Sequence, residues 1–512
     1  MSHDVGAHRR KKEFARRRGI PYPPGPPPQP IIGHLFKIPK APDEQLFTEY
    51  AEKYGDIVYL HLLGKDILIL NTERCAVDLF EKRGTIYSNR PWLPVTDMMG
   101  WSDILSLLPY GPLFYKTRKL FQAALSKSEC LTYQEIQLRQ VRILLQSLLK
   151  DPSDFELHLT RFSNAIITEV TYGHKINSSD DPYVAMIDEL FSIVNGLGDP
   201  GMIILDLFPF LRHIPSWVPG AWYAKYAKKY RPKAEAIMDE PFAEVQDRVS
   251  QGTAEASFLT YQLGALQNEG PINAADERRL KMDAFQLYMA GAETTSSTML
   301  MFLIAMVYNP GAQKIAQDEL DKVVGPGRLP DFSDREALPY LSALVNEVFR
   351  WKPVAPLGLP HSAMQDDIYN NMFIPKGATI IPNLRYMLSD PNTYHDPQSF
   401  KPERFLPKPH GYGEPLPTSV FGFGRRSCPG KLLGEASVWI AIASILATFD
   451  VKPLEDSKGN ILLPPMEFDV HITSRPKPFQ CLIKPRISQH ELTGSISKQI
   501  TSNLETFYVG TL

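Results

Sequence analysis

Between Glu44 and Leu344 apolar residues recur mainly three and four positions apart, as in Leu138, Val141, Leu144, Leu145 and Leu148. That spacing predicts a succession of helices with one buried face. Two short runs, Ile57-Val-Tyr-Leu-His-Leu62 and Asp66-Ile-Leu-Ile-Leu70, predict a β-hairpin near the front. From Lys352 onward proline and glycine become frequent and strand signals shrink to a few residues. One last apolar helix, Lys431 to Phe449, then leads to a hairpin-like end through Cys481-Leu-Ile-Lys-Pro485. The stretch Leu432 to Phe449 has the character of a membrane anchor, but Glu435 interrupts it and it lies deep in the chain, so it reads as a core helix. The pattern predicts one large, mainly α domain with a small β part over residues 31–486, with neither an internal repeat nor a linker after Pro30. It is preceded by a basic and proline-rich segment, 1–30, and followed by a Ser-, Thr- and Gln-rich tail, 487–512, that reads as loosely attached.

Composition sharpens this picture in three places. Of the 512 residues 43% are hydrophobic and 22% charged, enough apolar material for a sizeable core. Net charge is −2, which gives no basis for nucleic-acid binding, although the first 20 residues carry +5 and leave −7 for the rest. Four cysteines without a CxxC pair exclude a disulfide scaffold and a closed tetrahedral zinc site. Gly19 runs directly into the proline cluster Pro21 to Pro30, so no signal peptide or membrane anchor is read there.

The stretch richest in chemistry is Phe421-Gly-Phe-Gly-Arg-Arg-Ser-Cys-Pro-Gly430. Glycines let backbone amides approach a sulfur, a following helix start favours its negative charge, and arginines suit an acidic cofactor. Taken alone, the stretch is equally a tight loop before a helix with a buried free cysteine. Inside the apolar run Asp283 to Val307 lies Ala290-Gly-Ala-Glu-Thr-Thr295. A carboxylate beside a hydroxyl within such a helix suits a proton relay, and otherwise marks a polar stripe on a helix surface. Glu347 and Arg350 are spaced to share a helix face, a pattern expected about once by chance in a chain of this length.

Together these segments resemble the haem-thiolate monooxygenases of the cytochrome P-450 family. The family signature F-x-x-G-x-R-x-C-x-G is met by Phe421, Gly424, Arg426, Cys428 and Gly430, a coincidence on the order of 10⁻⁴ or below by chance. The resemblance implies the cytochrome P-450 fold: a single large helical domain with peripheral β-sheets. It makes Cys428 the axial thiolate of a haem iron, with Arg426 on a propionate and Phe421 beside the sulfur. Glu293 and Thr294 would deliver the protons of oxygen activation, and Ala290 and small Gly291 would leave oxygen room, although the family more often has Asp at the acid position. Glu347, Arg350 and Arg404 of Pro402-Glu-Arg-Phe405 would form a structural lock. Phe114 and Arg118 match a W-x-x-x-R helix in which Phe replaces Trp. His361 takes a propionate-binding position, although a lone His after Pro is otherwise just a loop residue. Asn371 stands where relatives have a glycine with positive φ.

The similarity spans about Tyr22 to Arg486. Wording such as Tyr87-Ser-Asn-Arg-Pro91 and Phe208-Pro-Phe-Leu-Arg-His-Ile-Pro-Ser-Trp-Val-Pro-Gly220 is similar to fungal microsomal members of the O-methylsterigmatocystin oxidoreductase type. By family position the substrate contacts are Trp101, Phe285, Met289, Val354, Ala355, Leu357 and Ile472, all apolar, which implies a hydrophobic small molecule. NADPH would supply electrons through a cytochrome P-450 reductase, with cytochrome b5 as a second donor. Lys116, Lys119, Arg425 and Lys431 either meet that acidic reductase or form an ordinary solvated surface. The implied location is the cytoplasmic face of the endoplasmic reticulum membrane, held peripherally. The apolar stretch Gly201 to Leu211 with Trp217 and Trp222 touches the membrane in that reading, or else is buried. Two other functions stay open: an O₂-independent rearrangement on the same fold, and a non-enzymatic haem-binding protein.

Overall fold

The computed structural model describes residues 19–37, 44–176, 178, 181–197, 203–470 and 472–486. Most of the segment 1–30 and the whole tail 487–512 lie outside the described residues. The helices of eleven residues or more are α1 (Glu44–Tyr54), α2 (Pro112–Ala124), α3 (Gln134–Lys150), α4 (Phe155–Tyr172), α5 (Pro182–Leu197) and α6 (Trp222–Ser250). They continue as α7 (Phe258–Glu269), α8 (Ala274–Tyr308), α9 (Pro310–Val323), α10 (Pro339–Trp351) and α11 (Lys431–Thr448).

Helix α8 is the axis of the molecule. Asn273 caps it by accepting from the amides of Ala275 and Asp276 at 2.9 and 3.0 Å, and Asp276 and Glu277 add negative charge to its first turn. Its C-terminal half, Ser296 to Val307, is buried on every side, and the helix packs against α4, α10 and α11 in one continuous core. Helices α8 and α11 are each long and apolar enough to cross a membrane, but both are mostly covered by protein. The expectation of a core helix at Leu432 to Phe449 therefore holds, except that Phe449 already begins a strand. The seam between α11 and α3 is pinned by Gln137, whose amide donates to Leu433 O and Ser437 Oγ at 3.2 and 2.8 Å.

The front hairpin pairs β1 (Ile57–Leu62) with β2 (Lys65–Leu70). It does not stand alone, because β2 also pairs in parallel with β6 (Thr379–Pro382), which pairs with β3 (His361–Ser362). Between them lies a two-stranded hairpin, β4 (Asp367–Tyr369) and β5 (Met372–Ile374). Asn371 in its turn has φ +58°, as expected of a residue replacing glycine there, and Asn370 shares this left-handed geometry at +49°. The C-terminal strands are β7 (Phe449–Lys452), β8 (Leu454–Glu455), β9 (Ile461–Leu462), β10 (Phe468–Val470), β11 (Ser474–Pro476) and β12 (Leu482–Pro485), pairing as β7–β12, β8–β9 and β10–β11.

Glu347 and Arg350 on α10 meet Arg404, and all three are fully buried. Arg350 Nε and Nη2 donate to the Glu347 carboxylate at 2.7 and 2.9 Å, and Arg404 Nε donates to it at 3.0 Å. Arg404 Nη1 reaches Glu414 Oε2 at 2.6 Å, a partner not anticipated from sequence. Two cations thus face two carboxylates, and the remaining donors go to carbonyls of Leu388, His395 and Ser399. The cluster binds α10 to the segment that runs into the Cys428 loop. Replacing Glu347 with Gln leaves two guanidinium groups facing one acid and should cost roughly 3–5 kcal/mol in urea unfolding. Lys314→Ala, which removes an exposed pair with Asp318 on α9, should leave the unfolding curve nearly unchanged. Equal effects of the two substitutions would mean that burial of the cluster contributes nothing special.

Candidate functional site

The loop 421–430 folds back on itself before α11. Gly422 and Gly424 have φ of +74° and +52°, and the Cys428 amide donates to Phe421 O at 2.7 Å to close the turn. A Cβ on Gly424 would lie 2.4 Å from the carbonyl oxygen of Phe80, so this position requires glycine on two counts. Phe421 packs edge-on against Phe349 of α10 at 5.4 Å, which links the loop to the buried charge cluster.

Cys428 has accessible surface, yet burial is the largest influence on its thiol and raises its pKa. Both hold if the sulfur opens onto an internal cavity. The Gly430 amide, Arg118 and Lys431 act in the opposite direction and favour the thiolate. On α8, Ala290 and Thr294 are exposed and Met289 is half-buried, although the helix around them is among the most buried in the protein. Ala290 and Thr294 are one helical turn apart and share a face. An open face in the middle of a core helix marks an interior space. The Thr294 hydroxyl donates to Ala290 O at 2.9 Å.

Near Cys428 positive charge is concentrated, Arg118 lying close to the sulfur and to Arg426, and Arg426 close to Arg90. Arg90, Arg426 and His361 are buried, and Arg118 is half-buried. Burial lowers the pKa of Arg90 to about 9, with Arg426 adding to the effect. Burial and then Arg118 lower that of Arg426 to about 10. Burial also lowers Arg118, and it pushes His361 well below the ordinary imidazole value, helped by Arg90 and Arg426. Among the described residues no carboxylate forms an ion pair with any of these arginines, and the buried Nε of Arg118 has no hydrogen-bond partner. Arg426 donates to the carbonyls of Ser88, Leu105 and Leu108 at 2.7, 3.2 and 2.6 Å, and its guanidinium lies 3.8 Å from the Phe114 ring centre. Arg90 donates to Ser106, Leu359 and Pro360 carbonyls at 2.9, 2.7 and 2.7 Å. His361 is no loop residue: it lies in β3, Nδ1 hydrogen-bonds Tyr87 O at 2.7 Å, and the ring stacks on Phe80 at 4.0 Å.

Three uncompensated guanidinium groups in a desolvated wall call for an anionic ligand. Among the described residues no cluster of three or more His, Cys, Asp or Glu could cage a metal ion. A metal held at Cys428 would therefore need to bring its other ligands with it. A haem, with an iron already ligated by its macrocycle and two carboxylate side chains, fits both requirements. Sequence reasoning missed Arg90, which it quoted only as part of Tyr87 to Pro91. A single arginine before proline gives no sign that it is buried without an acid.

Two expectations are corrected. Gly291 does not face the open space, because a Cβ there would lie 2.5 Å from Ile167 Cγ1 of α4. Its small size is required by helix packing, while the open positions are Ala290 and Thr294. Nor do Glu293 and Thr294 form a joined pair. Consecutive helical residues point about 100° apart, and the buried Glu293 carboxylate accepts from Thr473 Oγ1 at 2.5 Å, in the connection between β10 and β11. The apolar positions divide similarly. Trp101 and Phe285 are buried against each other at 5.3 Å, Val354 and Ala355 are half-buried, and Ile472 is exposed. Leu357 instead packs on the cluster under β1 and β2. Lys116, Lys119 and Arg425 are exposed and Lys431 is half-exposed.

Comparison with known proteins agrees with this geometry. The sequence model of the family described as "Cytochrome P450" matches residues 23–483. "Cytochrome P450 monooxygenase 136" of Postia placenta is 38% identical over 497 residues, which cover 96% of this chain and 93% of the relative. "Cytochrome P450 monooxygenase COX2" of Coprinopsis cinerea is 38% identical over 478 residues, 92% of this chain and 90% of the relative. "Cytochrome P450 monooxygenase ple1" of Rhodocybe pseudopiperita is 36% identical over 475 residues, again 92% and 90%.

Proposed function

Because the chain belongs to the cytochrome P450 family and is a haem-thiolate monooxygenase, we propose that Cys428 would hold the haem iron through its sulfur and that Arg90, Arg118, Arg426 and His361 would hold the propionates. The observation that carries this assignment is the buried positive wall without an acid, beside a cysteine that opens inward. When bound, the haem supplies the redox centre at which O₂ is reduced and one of its oxygen atoms enters the substrate, the thiolate pushing electron density toward O–O cleavage. The protein's own share is to hold the cofactor, exclude bulk water and move protons.

The substrate is a hydrophobic small molecule of fungal secondary or xenobiotic metabolism, seated against Met289, Val354, Ala355 and Ile472. Electrons come from NADPH through a cytochrome P-450 reductase, with cytochrome b5 as a second donor. The exposed bases Lys116, Lys119 and Arg425 support docking of an acidic partner near the thiolate. Thr294 supplies the hydroxyl for proton delivery on the open face. Glu293 is the nearby carboxylate, reaching that face only through water or a change of rotamer. The open hydroxyl supports the monooxygenase over an O₂-independent rearrangement.

Attachment to the cytoplasmic face of the endoplasmic reticulum is supported by an apolar surface rather than a span. Ile204, Phe210 and Trp217 are exposed, while Leu205 between them is fully buried. Leu207 and Leu35 both pack on the cluster under β1 and β2, and Phe36 next to Leu35 is exposed.

Three measurements test these assignments. Cys428→Ala should lose the thiolate-type spectrum of the reduced CO complex, while Cys75→Ala, Cys130→Ala and Cys481→Ala keep it; the reverse pattern refutes the ligand. Thr294→Ala should retain haem and substrate binding but divert electrons to peroxide, lowering product per NADPH, with a loss in rate of roughly 10²- to 10⁴-fold. Unchanged coupling in that variant would favour the O₂-independent reaction. The chain should float with phospholipid vesicles, and a Phe210→Ser, Trp217→Ser double variant should stay largely in the soluble fraction; a wild-type chain recovered only there would exclude membrane attachment by this surface.

A further inference from the structure

The hairpin β10–β11 is tied down at three points. The Ser474 amide donates to Val354 O at 2.7 Å, Arg475 pairs with Glu156 of α4, and Thr473 donates to Glu293 of α8 at 2.5 Å. The first two bonds hold the hairpin through β11. The third holds the connection, where Ile472 is 46% exposed. Glu293 is the point on α8 where that connection is fastened, one residue from open Thr294. Ile472, Val354 and Met289 come from three segments far apart in sequence, and nothing covalent sets their spacing. A hydrogen bond to a buried carboxylate is strong and directional, so it fixes position in a way that apolar contact alone does not.

We propose that Thr473 is a positioning residue for substrate specificity: its bond to Glu293 locks the β10–β11 connection onto α8 and thereby sets the distance between Ile472 and the open face at Met289, Ala290 and Thr294. The proposal rests on the reading of this space as the substrate site. The lock selects for molecules that reach from the haem to Ile472, and leaves ligands too small to reach it unaffected.

The test uses the haem-loaded full chain, with imidazole as the small probe and 1-dodecylimidazole as a long apolar one, each titrated by its Soret shift. Thr473→Val should weaken 1-dodecylimidazole about tenfold, the size expected for loss of one hydrogen bond to a charged acceptor, and leave imidazole unchanged. Hydrogen exchange of the Ser474 amide should accelerate in the same variant. Thr473→Ser, which keeps the hydroxyl, should restore both readouts. If Thr473→Val keeps the thiolate CO band and changes neither dodecylimidazole affinity nor Ser474 exchange, the lock does not exist. Equal weakening of imidazole and 1-dodecylimidazole would overturn the proposal as well, since the effect would then be on the haem pocket. A wild-type protein without a thiolate band would refute the proposed function instead, before either variant is compared.

Discussion

Positive charge buried without an acid is the constraint from which the rest of this site follows. Arg90 and Arg426 together make six bonds to backbone carbonyls, which solvate the guanidinium groups but do not neutralise them. Desolvation lowers the pKa of both, the sign that the folded protein disfavours their charged form. Those carbonyls belong to three separate stretches, residue 88, the 105–108 segment and the approach to β3, and Arg426 itself comes from a fourth, the loop 421–430. The arginines are thus the joint at which these stretches meet, and in the proposed function the two haem carboxylates would complete it. A ligand that binds only the folded chain stabilises it, so in the proposed function cofactor binding and loop order would be one equilibrium.

Charge balance separates this cluster from the other buried arginine cluster. Around Glu347 two guanidinium groups face Glu347 and Glu414, and their spare donors all reach carbonyls. Nothing is left over for a ligand, so that cluster is structural by its own stoichiometry. The wall facing Cys428 has comparable burial and arginine content but no acid. The two clusters are linked through Phe349 and Phe421, whose ring contact joins α10, which carries Glu347 and Arg350, to the loop that carries Cys428.

Much of this was legible in the sequence where local chemistry decides it. The 421–430 signature specifies its own loop, because Gly424 is hemmed in by the Phe80 carbonyl and no other residue fits. The helical body and the front hairpin follow from periodicity. Non-local contacts were not legible. Nothing in Lys65 to Leu70 indicates a parallel partner at Thr379 to Pro382, and nothing near Arg404 points to Glu414. Arg90 is one of many arginines until the fold removes every acid from its surroundings. His361 lies beside Arg90 and Arg426, and Phe114, which has no indole N–H, presents its ring face to the Arg426 guanidinium.

The same distinction explains why a short motif on α8 is deceptive when read as one unit. Ala290, Gly291, Glu293 and Thr294 are nearly consecutive, which suggests a single joint task. A helix turns about 100° per residue, so neighbours in sequence face different partners. Ala290 and Thr294 face the interior space, Gly291 faces Ile167 of α4, and Glu293 faces Thr473 of the β10–β11 connection. One turn of helix therefore meets three requirements at once: an open polar face, a close helix crossing, and an anchor for a distant hairpin. Each position tolerates change only as far as its own partner allows. Extra bulk at Gly291 disturbs the packing of α4, loss of the carboxylate at Glu293 unfastens the β10–β11 connection at Thr473, and loss of the hydroxyl at Thr294 affects the open face alone. The motif is conspicuous because three separate demands fall within one helical turn, and only the fold shows that they are separate.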